Sequence, residues 1–288
     1  IKEWPIYKLS RDRKQFAEKV VDKTVELLKE KAPTAEDLHE LIAKSHYSEK
    51  IRMTRKPWKT DPRDEKKFWN RIQQELVACE MDKAANADRF ENLLREIAAR
   101  YCKEISGNFK ISTYKFAKST VAFGFNRLLN ASSNRNFKRI FGNNAGLRDK
   151  FTFEGDHEHL RKMSKLGTVV MVPTHFSNLD SMVIGWAIDA LGLPAFLYGA
   201  GLNLFSIRVL SYFMNRLGAY KVDRRKKNRI YLETLLTYST LALEAGCHTL
   251  FFPGGTRSRS GSIETKLKLG LLGTCLLYTS PSPRDIGE

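Results

Sequence analysis

His175 and Asp180 stand five residues apart, where a predicted strand passes into a predicted helix. Residues 168–172 form a short β-branched run that predicts a buried strand, and an apolar helical pattern resumes at Leu179. An imidazole that titrates near ~6.5 can accept a proton at neutral pH. A carboxylate beside it can hold one ring nitrogen as N–H and leave the other as the base. The alternative is a turn histidine followed by a favourable negative charge at a helix N-terminus.

The hydroxyl group that such a base would deprotonate is expected to belong to the substrate. The chain contains no Gly-x-Ser-x-Gly nucleophile elbow, which argues against a serine hydrolase. Open α/β sheets place their sites at the carboxyl ends of strands, and this is the predicted position of His175.

A second candidate site follows the apolar run 249–252, which predicts another buried strand after a helix that ends at residues 245–246. A Pro-Gly-Gly break comes next, and two arginines, Arg257 and Arg259, follow it. Paired glycines allow backbone N–H groups to approach a ligand or a developing oxyanion closely. Guanidinium is the side chain best matched to bidentate phosphate binding. The alternative is a tight surface turn with solvated arginines.

A third element, residues 217–224, lies between the other two. An apolar helical pattern precedes it, and Arg224 closes its short predicted strand, where it would add a cation to the same pocket. Four further basic residues follow, and we predict that they form a solvated edge without a role in the site. These residues are Arg225, Lys226, Lys227 and Arg229.

These three elements, in this order, resemble the sequence blocks of the glycerolipid acyltransferase superfamily. The H-x4-D block is matched by His175 and Asp180, and G-x-x-F-x-x-R by Gly218 and Arg224, with Lys221 at the usual aromatic position. The F-P-E-G-T-R block is matched at residues 252–257, although Gly254 replaces the glutamate. The arginine-rich ending of this third block resembles the glycerol-3-phosphate acyltransferase branch.

The resemblance implies transfer of a fatty acyl group from acyl-CoA or acyl carrier protein to the sn-1 hydroxyl of glycerol 3-phosphate. It makes His175 the general base and Asp180 its orienting partner, and it implies no metal or tightly bound cofactor. Lysophosphatidate or dihydroxyacetone phosphate is the alternative acceptor. The residues expected to bind substrate are Gly218, Arg224, Gly254, Gly255, Thr256, Arg257 and Arg259.

The composition indicates an anionic partner, since the formal net charge is +17 and the isoelectric point is near 9.7. No zinc spacing, RNP-like motif or helix-turn-helix signature supports nucleic acid as that partner. An anionic membrane surface, an acidic carrier protein and a phosphorylated substrate fit the charge as well. A basic nucleic-acid-binding or membrane-scaffold protein, without catalysis, is the alternative of another class.

The cellular location is predicted from cysteine use and hydropathy. The four scattered cysteines include no Cys-x-x-Cys pair, which argues against a zinc site or a disulfide scaffold and favours a reducing cytoplasm. No uninterrupted apolar run reaches the ~18–20 residues of a membrane span. We therefore expect a cytoplasmic protein that is peripheral on the membrane.

The fold class expected is α/β, a mostly parallel sheet with flanking helices, preceded by an amino-terminal helical domain. Residues 1–150 are predicted to be a helical accessory domain, and residues 151–274 a catalytic domain in which strands and helices alternate. The aromatic-rich segment 109–129 is predicted to be a helix that packs on the catalytic core or, alternatively, lies on a membrane. Thr34 is predicted to begin a capping box at the start of a helix over 38–43.

The carboxyl-terminal residues 275–288 depart from this pattern and resemble translated vector or adaptor sequence. On that interpretation the chain is a truncated fragment that lacks the family's later proline block. The chain also begins at Ile1, without methionine, so its natural amino terminus is expected to lie upstream.

Overall fold

The computed structural model describes residues 1–120, 151–177 and 180–254, with two isolated positions, 262 and 273. The predicted non-native tail and the second half of the predicted 109–129 helix lie outside the described residues. Among those described, no helix is long and apolar enough to cross a lipid bilayer.

The amino-terminal part of the chain is helical, as predicted. Its helices are α1 Pro5–Arg11, α2 Arg13–Lys31, α3 Ala35–Arg55, α4 Glu65–Ala78, α5 Ala87–Ile105 and α6, residues 111–120. The capping box is confirmed, because the Thr34 side chain accepts from the Asp37 backbone N–H and Asp37 accepts in return from that of Thr34. However, α3 runs well beyond the predicted end at residue 43, since its buried face continues through Ser45 and Glu49 to Arg52.

The rest of the described chain forms a four-stranded parallel sheet with helices, which confirms the predicted fold class. Its elements are α7 His157–Leu166, β1 Val170–Met171, α8 Asp180–Ala190, β2 Leu197–Gly201, α9 Arg208–Arg216, β3 Ala219–Val222, α10 Arg229–Glu244 and β4 Thr249–Leu250. The strand order is β1-β4-β2-β3, and every neighbouring pair is parallel. All four carboxyl ends therefore lie along one edge of the sheet.

One hydrophobic core joins the amino-terminal helices to the sheet. Trp69 of α4, Tyr101 of α5, Tyr220 of β3 and Tyr238 of α10 are all fully buried members of it. Helix α10 packs against α2, α3 and α5, so its apolar side chains are shared between the two parts of the chain. The core thus crosses the predicted boundary at residue 150, and the division into two domains stays a prediction.

The loop between β3 and α10 corrects the prediction of a solvated basic edge. Lys227 and Arg229 are exposed as predicted, but the side chain of Arg225 is only 6% exposed and Lys226 only 3%. Arg225 binds Asp61 and Asp223, and Lys226 binds Glu104 and, at 3.5 Å, Glu65. A buried charge is tolerated when it is paired.

Most of the carboxylates that neutralise these two cations come from a distant part of the sequence. Asp61, Glu65 and Glu104 precede the loop by more than a hundred residues, and only Asp223 is local. A local run of basic residues gives no sign of such partners, which is why the sequence interpretation was wrong for Arg225 and Lys226.

Replacing Lys226 by methionine should destabilise the fold, because Lys226 is buried and the half-buried Glu104 carboxylate would lose its nearest cation. Burial already raises the pKa of Glu104, although Lys226 opposes that rise. Removing one partner of a buried ion pair costs about 3 kcal/mol or more, and this loss should appear as a lower midpoint of urea unfolding.

The matched control is Lys227→Met, because Lys227 is the next residue and is exposed. Its effect should stay within about 0.5 kcal/mol. Equal unfolding midpoints for the two variants would contradict the structural role given to Lys226.

Candidate active site

The carboxyl ends of β1 and β4 bring the first and third sequence elements together. The two strands are neighbours, and the chain leaves β1 toward His175 and leaves β4 toward Phe252. The imidazole of His175 stacks on the phenyl ring of Phe252, with ring centroids 4.1 Å apart and planes inclined by 25°. This stacking fixes the plane of the imidazole at the edge where parallel sheets place their ligands.

Asp180 is the first residue of α8, and its carboxylate reaches back to the turn that carries His175. Its Oδ2 atom lies 3.1 Å from Nδ1 of His175. The same oxygen accepts hydrogen bonds from the backbone N–H groups of Phe176 at 2.6 Å and Ser177 at 2.7 Å. Asp180 therefore holds the turn and the imidazole in one arrangement.

The protonation state of the pair follows from these contacts. Burial tends to raise the pKa of Asp180, but hydrogen bonds from the Ser177 backbone, His175 and the Phe176 backbone outweigh it and lower the pKa below its ordinary value. The carboxylate is ionised at neutral pH and acts only as an acceptor. The imidazole must then present N–H at Nδ1, which leaves Nε2 as its basic nitrogen.

Arg224 lies at the same edge of the sheet but at its far end. It follows β3 by two residues and is exposed. Because β4 and β2 separate β3 from β1, and neighbouring strands are spaced by about 4.8 Å, the ends of β1 and β3 are roughly 14 Å apart. A ligand that contacts both His175 and Arg224 would have to lie across the ends of these two inner strands.

The backbone on both sides of Arg224 is anchored. The N–H group of Asp223 donates to the hydroxyl of Tyr231 at 2.7 Å, and the carboxylate of Asp223 binds the guanidinium of Arg225. Arg225 also donates to the carbonyl of Lys56 at 2.6 Å and lies over the ring of Trp58. Arg224 is therefore the exposed residue of a turn whose two neighbours are held in place.

The glycines among the predicted site residues differ in position. Gly254 follows β4 at the carboxyl edge of the sheet, two residues after Phe252. Gly218 instead precedes β3, at the opposite edge, with φ of 108°. A Cβ atom there would lie 2.5 Å from the carbonyl oxygen of Phe196. Backbone conformation and close packing thus account for glycine at position 218, and its part in substrate binding stays a prediction.

Four of the predicted binding residues lie outside the described part of the chain. They are Gly255, Thr256, Arg257 and Arg259. Their proximity to His175 remains a prediction, supported by the position of Gly254 at the end of β4.

Three contributors to the site were missed from the sequence. The ring of Phe252 and the N–H groups of Phe176 and Ser177 each hold one member of the His175–Asp180 pair. The position of Phe252 at the end of a predicted strand could have indicated that its ring contributes to the site. The two backbone N–H groups could not be inferred from the sequence, because a backbone donor does not depend on residue type.

Comparison with known proteins finds similarity to acyltransferases. Residues 153–277 match the family model described as Acyltransferase. The chain is also 26% identical over 183 residues to the dihydroxyacetone phosphate acyltransferase of Mus musculus, and 23% identical over 188 residues to the glycerol-3-phosphate acyltransferase of Pseudomonas aeruginosa. These alignments cover 63% and 65% of the chain.

The chain is thus similar to glycerolipid acyltransferases over residues 153–277. The family match contains His175 and Asp180 together with the predicted binding residues Arg224 and Gly254. The aligned region makes up 24% of the mouse protein and 20% of the bacterial one, so the chain spans only about a quarter of the length of these curated relatives. A human dihydroxyacetone phosphate acyltransferase is similar at 24% identity over 183 residues.

The hydrogen bond between Asp180 and His175 predicts the tautomer of the imidazole. In ¹⁵N NMR spectra at a pH where His175 is neutral, we expect a protonated Nδ1 and an unprotonated Nε2. Asp180→Asn should mix the two tautomers, because an amide can either donate to or accept from Nδ1. A wild-type spectrum dominated by the Nε2–H tautomer would contradict the geometry.

Proposed function

We propose that this chain carries the catalytic site of a glycerol-3-phosphate 1-O-acyltransferase. The reaction would transfer a fatty acyl group from the thioester of acyl-CoA or acyl carrier protein to the sn-1 hydroxyl of glycerol 3-phosphate. The observation that carries the proposal is the His175–Asp180 pair, a histidine base with an ionised orienting partner at the carboxyl edge of a parallel sheet. The family match and the relatives named above support the same chemistry.

His175 would act as base and then as acid. Its Nε2 atom would take the proton from the sn-1 hydroxyl while that oxygen attacks the thioester carbonyl carbon. Asp180 would stabilise the imidazolium that forms. When the tetrahedral intermediate collapses, the carbon–sulfur bond breaks, and the imidazolium returns the proton to the departing thiolate. Protons and electrons therefore balance without a redox partner. That the reaction needs no metal or tightly bound cofactor stays a prediction.

The phosphate of the acceptor would be bound by arginines at the same edge. Arg224 and Arg257 are the proposed ligands, and Arg259 is a further candidate. The backbone N–H groups of the glycine turn, Gly254 and Gly255, would approach the developing oxyanion, with Thr256 beside them. Support for this division of roles comes from the exposed position of Arg224 and from Gly254 at the end of β4.

Dihydroxyacetone phosphate is the second candidate acceptor. Relatives that carry this name occur in mouse, human and cattle at 24–26% identity. The two acceptors share a phosphate and a primary hydroxyl and differ only at the central carbon, which is a secondary alcohol in one and a ketone in the other. The same base and arginines would serve both, so parallel assays with the two acceptors decide between them.

We further propose that the protein works at the cytoplasmic surface of an anionic membrane. The positive net charge of +17 supports this location, as does the fatty character of the proposed acyl donor. A basic binding protein without catalysis is the competing account. It leaves unexplained why a carboxylate is held against an imidazole by two backbone donors.

His175→Ala should abolish most of the acyl transfer while leaving the protein folded. Losing a general base typically lowers kcat by ~100–10,000-fold, measured as incorporation of labelled glycerol 3-phosphate into lipid with either thioester donor. The control is His159→Ala, because His159 is exposed on α7. Equal activity of the two variants would remove His175 from the chemistry, and a folded wild type that is inactive on every acceptor would favour the binding protein.

Arg224→Gln should weaken acceptor binding more than it slows turnover. Loss of a charge-assisted hydrogen bond costs about 1.5–3 kcal/mol, so KM for glycerol 3-phosphate should rise about tenfold or more. Lys227→Gln is the control, since this lysine is exposed in the same loop. An unchanged KM in Arg224→Gln would show that the phosphate is bound elsewhere.

A further inference from the structure

The beginning of helix α9 is exposed and carries several apolar side chains. Ile207, Arg208, Val209 and Leu210 are consecutive and all exposed, with Ile207 at 60% and Val209 at 68%. A surface helix in a globular protein normally turns its apolar side chains toward the core. In α9 the buried contact is made later, by Met214, which packs with Phe205 and Ala219. The helix is therefore anchored by its second half and projects its first turn outward.

Neighbouring residues extend this projection into a continuous apolar surface, here called the α9 tip. It consists of Leu204, Ile207, Val209, Leu210 and Tyr212. The short 3₁₀ helix Leu202–Ser206, which contributes Leu204, packs directly against α9. Exposed apolar groups that are contiguous, unlike single ones, mark interaction sites.

The charged residues of the segment that carries the α9 tip are all positive. Residues 202–216 contain two arginines and no acidic residue. Arg208 is exposed within the tip, and the guanidinium of Arg216 lies over the ring of Tyr212, 3.8 Å from its centroid. Apolar side chains surrounded by arginines fit a surface that offers hydrocarbon beneath negative charge, which describes an anionic lipid bilayer.

The α9 tip also lies on the side of the molecule where the proposed chemistry occurs. The 3₁₀ helix follows β2 directly, at its carboxyl end, and β2 is parallel to β1, which leads to His175. Contact of the tip with a bilayer would hold this edge of the sheet near the lipid surface, where fatty thioesters and acylated products partition.

We propose that the α9 tip inserts into the headgroup region of an anionic bilayer, with Arg208 and Arg216 binding lipid phosphates. This inference rests on the proposed function for its biological purpose, but the binding itself is a separate physical property. The occupant is a lipid surface, because the segment 202–216 carries arginines and no acidic residue and its exposed apolar side chains come from adjacent turns.

The test is cosedimentation with vesicles of phosphatidylcholine mixed with phosphatidylglycerol. A triple variant, Ile207→Ser with Val209→Ser and Leu210→Ser, should bind on the order of 100-fold more weakly than wild type. Arg208→Gln should weaken binding about fivefold, and only when the anionic lipid is present. Equal binding of wild type and the triple variant would overturn the proposal.

The matched control changes three exposed apolar residues elsewhere, Val77, Met81 and Leu166, to serine; these are 66%, 97% and 79% exposed. This control should bind like wild type, and an equal loss of binding in it would overturn the assignment to α9. Sedimentation without vesicles tests whether a second copy of the chain occupies the tip instead. If the mass falls from dimer to monomer in the triple variant while vesicle binding is unchanged, the lipid assignment is refuted.

Acyl transfer from a short-chain, water-soluble thioester separates this inference from the proposed function. The triple variant should keep its turnover with that donor while losing vesicle binding. If wild type binds vesicles through the tip but transfers no acyl group, the proposed function fails and the lipid surface stands. If turnover depends on His175 but the tip variants bind vesicles normally, the lipid-binding proposal is wrong and the proposed function still holds.

Discussion

The position of Arg224 at the sheet edge depends on a cluster of buried charges between the amino-terminal helices and the β3–α10 loop. Arg52 of α3 forms its centre, with Glu49 at 2.7 Å, Asp61 at 3.1 Å and Glu65 as its partners. The loop contributes Arg225 and Lys226 to the same carboxylates. Removing a charge from water costs several kcal/mol unless it is paired. The loop is therefore held in the position where Arg225 and Lys226 meet their carboxylates. Asn228, the cap of α10, adds hydrogen bonds to the same cluster.

This constraint explains how the amino-terminal helices, which contribute none of the predicted site residues, affect the site. The cluster fixes the turn that presents Arg224, while the stacking on Phe252 and the hydrogen bonds of Asp180 fix His175 at the other end of the sheet edge. The two ends are held by independent contacts, and the sheet between them sets their separation. A substrate with a phosphate at one end and a reactive hydroxyl at the other suits such a site, because rigid positioning lowers the entropic cost of reaction.

The parts of the fold that local pattern determines were predicted well from the sequence. The capping box at Thr34 begins α3 as predicted, and the glycine at 246 follows the end of α10 with a positive φ, which is common at helix termini. The predicted strand runs 168–172 and 249–252 contain β1 and β4, but each strand is only two residues long, because pairing partners and not composition set strand ends. The pairing of His175 with Asp180 followed from residue type and spacing.

What the sequence did not reveal depends on contacts between distant residues. The burial of Lys226 requires Glu104, and the exposure of the α9 tip requires that no other described part of the chain covers it. Neither can be inferred from a local window, since a basic run or an apolar turn has the same composition whether it is buried or exposed. The positions of Arg257 and Arg259 stay predictions for a different reason, because they lie outside the described residues.

The central claim is direct transfer, in which His175 activates the acceptor hydroxyl and the protein forms no acyl intermediate of its own. The most direct measurement follows release of free thiol from a palmitoyl thioester with and without glycerol 3-phosphate. The account predicts that thiol appears only when the acceptor is present, in equal amount to the lysophosphatidate formed. Rapid thiol release without an acceptor, either as a burst or as continuous hydrolysis, would contradict it.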